Sequence, residues 1–125
     1  LTNVSFEDMS KLSLPLGDGL ARLRTTCGAI SGMALIVGLL FSDSAPSEEN
    51  KLAIYERVRV LTDKFVLERK TINCKELLEA AMLEVEVGGK PEARTSEYYK
   101  KRPCGAIVYL AAKILEDYLK ENNCL

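Results

Sequence analysis

The run CGAISGMALIVGLLF, from Cys27 to Phe41, decides how the rest of the chain is read. It is the longest apolar stretch present, yet it stops short of the ~20 residues that a bilayer-spanning helix requires. A helix that is apolar on nearly all sides and too short for a membrane belongs at the centre of a bundle. Gly28, Gly32, Ala34 and Gly38 lie within it. Glycine costs helix propensity, so a packing role is expected, with the small residues letting neighbouring backbones approach.

The flanks read as helical too. Upstream, SFEDMSKL offers Ser5 as an N-cap with acidic residues behind it, predicting a short helix to about Leu12. SLPLGDGLARLRTT then carries Pro15, Gly17 and Gly19, the mark of a loop with a bent backbone. Downstream, SDSAPSEEN is a loop and helix start, with Pro46 suited to a first turn. From there to about Arg69, Leu52, Tyr55, Val58, Leu61 and Phe65 recur at helical spacing, predicting an amphipathic helix with those residues inward. NCKELLEAAMLEV predicts a helix capped by Asn73, and EVGGKPEARTS a surface loop. A short helical piece takes in Tyr98 and Tyr99, for which packing is the ordinary role. The last helix opens at Pro103 and runs to about Lys120, with Ile107, Leu110, Ala111, Ile114 and Tyr118 on one face. LEVEV is the one strand candidate, and it is short. The expectation is an all-α, single-domain helical bundle of about four to six helices over residues 1–125, with a central apolar helix.

Composition narrows the function. Apolar residues at 47% and charged residues at 28% describe a globular domain that can bury one real core. The net charge of −1, with both signs interspersed, provides no field for nucleic acid or anionic lipid. Histidine is absent, which removes Cys-His and Ser-His pairs and every His-containing zinc site. GDGLARLR lacks the spacing and the Lys-Ser/Thr ending of a phosphate loop and reads as a turn. The carboxylates of SEEN and KILEDYLKEN fit helix starts and solvated faces, with no pair spaced for acid–base catalysis. The thiols remain.

CGAI occurs twice, at Cys27 and at Cys104. Cys74 follows the capping Asn73, so three cysteines are predicted in first helical turns. Unpaired N–H groups and the helix dipole favour an anion there, so lowered thiol pKa values are expected. Cys104 follows the basic run Lys100, Lys101 and Arg102, and Arg22, Arg24, Lys75 and Arg102 would act in the same direction. The contrary reading is inert packing, since cysteine is among the most buried residue types. No CxxC pair is present, so a joint site has to be assembled by the fold. Cys124, near the C-terminal end, is expected to be incidental.

TCGAISG resembles the CGAxxG signature of the C-GCAxxG-C-C family, small proteins to which redox activity is ascribed. The preceding LGDGLARLRT is similar to the glycine-containing segment leading into that signature, and INCKELL and RPCGAIVYLAAKILE to the family's two later cysteine segments. The likeness runs from about Leu16 to Leu119. It implies that Cys27, Cys74 and Cys104 carry the activity, with Gly28, Ala29 and Gly32 shaping the helix around them. Arg22 is expected in support through its charge and not through the resemblance. The family's fourth cysteine lies on a helix upstream of CGAxxG, and residues 1–26 contain none. The expectation is therefore a domain without that N-terminal helix, or a member that has lost that cysteine.

Three functions stay open. The first is a thiol redox protein cycling between dithiol and disulfide, with Cys27 as the favoured nucleophile, Cys74 or Cys104 resolving, and no cofactor required. Its redox partner would be a protein of unknown identity. The second is a metal- or iron–sulfur-binding electron-transfer accessory with Cys27, Cys74 and Cys104 as ligands. The third is a non-catalytic helical interaction module. Nucleic acid and membrane insertion are not expected; homo-oligomerisation and a cytoplasmic location are compatible with these residues, from which no signal peptide can be read.

Overall fold

The computed structural model describes residues 3–125; the side chains of Tyr99, Lys100 and Lys101, part of the predicted basic run, lie outside the described set. Six α-helices and one 3-10 turn (Leu14–Leu16) follow one another, with no strand among the described residues. They are α1 (Phe6–Ser13), α2 (Gly28–Phe41), α3 (Glu48–Arg69), α4 (Cys74–Ala80), α5 (Ser96–Lys101) and α6 (Cys104–Glu121). The protein is an all-α single domain.

Local chemistry sets the helix starts. Ser5 accepts from the Asp8 N–H, Ser47 from the Asn50 N–H and Asn73 from the Glu76 N–H. Each capping oxygen takes up a donor that the helix itself leaves unpaired. Helix α3 stops at Lys70, whose backbone turns left-handed at φ 71° while its N–H closes on the Val66 carbonyl.

Helices α2, α3 and α6 pack against one another and make the core. Its residues are Ile30, Met33 and Val37 from α2, Leu61 and Phe65 from α3, and Ile107, Ala111, Ile114 and Tyr118 from α6. The α6 face is the predicted one, with Leu110 packed against its edge. The α3 stripe differs from the predicted one. Ile54, Val58, Leu61 and Phe65 face inward, whereas Leu52 and Tyr55 are exposed. The 4-3-4 spacing of the inward set keeps one face on the core; Leu52 and Tyr55 fall outside that arc.

Helix α2 is central but not enclosed. Only Ile30, Met33 and Val37 are buried, and an apolar groove lined by Phe6, Met9, Leu35 and Ile36 runs between it, α1 and α6. A Cβ placed on Gly32 or Gly38 would meet nothing within 4 Å, so these two glycines do not mediate close backbone contact among the described residues. Gly28 does: a Cβ there would stand 3.0 Å from the Leu16 carbonyl oxygen.

Candidate three-cysteine site

The segment from Asp18 to Arg24 follows an unusual path. Asp18, Leu20, Ala21, Arg22 and Arg24 all have positive φ, between 47° and 69°, and Gly19 joins them at 73°. Outside glycine this conformation costs roughly 1–2 kcal/mol per residue. Backbone bonds from Ala21 to the Pro15 carbonyl (2.8 Å) and from Thr25 to the Gly19 carbonyl (2.8 Å) hold the turn closed. The side chains then anchor it: Arg22 Nε donates to the Gly88 carbonyl (2.7 Å) and Arg24 Nε to the Glu86 carbonyl (2.9 Å). Those bonds fix the LEVEV stretch as a strap over the turn, and α4 ends at Ala80, earlier than predicted, where the chain departs toward it.

That path brings two cysteines together. Thr26 and Asn73 form an isolated antiparallel bridge. The Cys27 N–H donates to the Ile72 carbonyl at 2.7 Å, and the Cys74 N–H to the Thr25 carbonyl at 2.6 Å. Cys27 becomes the N-cap of α2 and Cys74 the first residue of α4. Cys104 is the first residue of α6, which packs on α2. All three predicted helix-start placements are observed, and the three side chains line one cavity of about 320 Å³. Gly28 and Ala29 line it as well; Gly32 faces the apolar groove instead, and Cys124 sits apart at the C-terminal end.

The charged groups on the cavity wall are Asp18, Arg24 and Arg94. Arg24 is buried and lies 3.8 Å from the Cys74 sulfur through Nη1, which also pairs with Asp18 Oδ1 at 3.6 Å. Arg94 Nη2 pairs with Asp18 Oδ2 at 2.9 Å, and Arg94 also donates to the Tyr98 hydroxyl. The guanidinium groups of Arg94 and Arg102 each lie 4.5 Å from the Tyr98 ring centre. Arg22 stands behind this layer, paired with Glu86 at 3.3 Å and close to Glu92. Arg24 is thus the charged side chain on the Cys74 sulfur, with Asp18 as its counter-ion. Asp18 was invisible as a site residue in sequence, because its part depends on the left-handed turn.

The expected lowering of the thiol pKa values is overturned at two of the three positions. Burial pushes the Cys27 thiol up, against the backbone N–H groups of Ala29 and Ile30, which pull it down; Cys74 and Cys104 push it further up. Burial likewise raises Cys104, with Arg102 opposing. Loss of water outweighs the helix-end field here. Tyr98 is raised for the same reason, and Asp18 adds to it. Among the described residues no three His, Cys, Asp or Glu side chains gather closely enough to hold a metal ion.

The family model described as "Putative redox-active protein (C_GCAxxG_C_C)" matches residues 1–118. The chain belongs to this family. The match extends the C-GCAxxG-C-C likeness upstream through α1 and the 3-10 turn, and a redox class is what the family's description carries. No curated protein and no solved structure matches the chain. No helix among the described residues is long and apolar enough to cross a membrane.

Proposed function

We propose that this C-GCAxxG-C-C protein is a thiol-based redox protein in which Cys27, Cys74 and Cys104 exchange between thiol and disulfide states inside one cavity. The observation that carries the reading is the shared cavity itself, since three cysteines far apart in sequence converge on its wall. Cys74 is the attacking thiol in this scheme, in place of Cys27. Its sulfur carries the Arg24 guanidinium, and a fixed cation stabilises the negative charge spread over the sulfurs as exchange proceeds. Cys27 and Cys104, the other two thiols on the cavity wall, act second.

In the first step Cys74 attacks an incoming disulfide. The incoming S–S bond breaks, a mixed disulfide forms, and the Cys74 proton ends on the released thiol. A second cavity cysteine then displaces the remaining half as a thiol, leaving one intramolecular disulfide. Equilibration of the reduced protein in buffers of graded thiol-to-disulfide ratio, with alkylation of the remaining thiols, tests this. A reversible transition confined to the cavity cysteines is expected. Thiols that stay free at every ratio would refute it.

A further inference from the structure

The same cavity carries information about what enters it. We propose that its substrate is a small disulfide bearing a carboxylate, seated with the anionic group toward Arg94 and the S–S bond at Cys74. This rests on the thiol-redox reading above and adds the substrate class.

Size and access come first. Cys74 is only 9% exposed, and Cys27 and Cys104 are half-buried. Thiol–disulfide exchange needs the attacking sulfur in line with the S–S bond, and a small disulfide reaches a recessed sulfur more readily than one on a folded protein surface. A cavity of about 320 Å³ stands at the lower end of the ~300–1,000 Å³ range of small-molecule sites. Much of its wall is aliphatic, from Leu16, Leu77, Ile107 and Val108, which suits the carbon chain flanking a disulfide.

Charge selects the end group. The wall holds two guanidinium groups, Arg24 and Arg94, against one carboxylate, Asp18, which pairs with both. Behind it Arg22 pairs with Glu86 and Arg102 with Glu92. Arg24 is committed to Asp18, Cys74 and the Glu86 carbonyl. Arg94 is the partly exposed one, with 43% of its side chain open at the cavity edge, and is placed to meet an entering anion. A carboxylate that meets this guanidinium at the cavity edge forms a charge-assisted hydrogen bond. Exchange balances without further reagents. The Cys74 thiol and the substrate disulfide give a Cys74 mixed disulfide and a free small thiol, with the proton passing to the latter.

Three small symmetric disulfides of similar length separate the possibilities: dithiodipropionate (anionic), hydroxyethyl disulfide (neutral) and cystamine (cationic). Each is reacted with reduced protein, and the mixed-disulfide adduct together with the intramolecular disulfide that replaces it is followed by intact mass and located by peptide mapping. The expected order is dithiodipropionate, hydroxyethyl disulfide, cystamine, with about tenfold between the extremes and the adduct on Cys74. Arg94→Met should collapse the order and Arg94→Lys keep it; the wild-type order stands as a test without either variant. Equal rates, or cystamine fastest, would overturn the substrate class and leave the redox reading standing. No adduct with any of the three, and no disulfide after mild oxidation, would overturn both.

Discussion

Gly19 lies so close to Cys74 that a Cβ on it would stand 2.6 Å from the Cys74 Cβ, and 2.8 Å from Arg24 Cα and the Thr25 backbone nitrogen. Its φ of 73° is disfavoured for any other residue. Gly19→Ala is therefore expected to destabilise the protein by at least about 2 kcal/mol in urea unfolding and to loosen the wall behind Cys74. Gly32→Ala, on a helix with open space beside it, should be neutral or stabilising by up to about 1 kcal/mol. Equal losses at the two positions would contradict the assignment.

Much of the helical layout is legible in sequence because its determinants are local. Ser5 and Asn73 cap the helices they precede, and the α6 stripe from Ile107 to Tyr118 follows the helical period. At α3 the cap is Ser47, so Pro46 stands before the helix and not in its first turn. The α3 stripe is less legible, because Leu52, Ile54 and Tyr55 all offer large side chains at plausible spacing and only tertiary packing shows which of them meets the core. The placement of the cysteines at helix starts was also legible. Their chemistry was less so, because burial is a property of the assembled cavity and reverses the direction that the helix ends alone would give. The left-handed turn runs against the local preferences of Leu20, Ala21 and Arg22. Long-range anchors at Gly88 and Glu86 hold it, and no short window of sequence contains them.

Asp18 is the carboxylate on which both cavity arginines converge. Asp18→Ala leaves Arg24 buried without its anion and should cost about 3–5 kcal/mol by chemical denaturation. A double-mutant cycle with Arg24→Met should show a coupling above about 1 kcal/mol. A cycle that closes near zero would show that the pair is not energetically joined.

The inward face of α3 makes its own test. Phe65 is fully buried, and Phe65→Ala should lose about 3–5 kcal/mol. Leu52→Ala, on the exposed side, should stay within about 0.5 kcal/mol. Similar losses would place Leu52 in the core after all.

Burial raises the Cys27 and Cys104 thiols, so both hold their protons more tightly folded than unfolded. Their contribution to stability is complete below the unfolded thiol value of about 8.5 and is lost as pH rises through the folded values. The urea midpoint should fall between about pH 8.5 and 9.5, below the range where tyrosine ionises. The fall should be smaller in the Cys27→Ala/Cys104→Ala variant. A midpoint that rises over this interval would contradict the sign.

The central claim is that Cys27, Cys74 and Cys104 act as one redox set while Cys124 stands apart. Mild oxidation followed by peptide mapping without reduction measures this directly. The account predicts one disulfide joining two of the three cavity cysteines, with Cys124 still free. All four thiols remaining free, or a disulfide that requires Cys124, would contradict it.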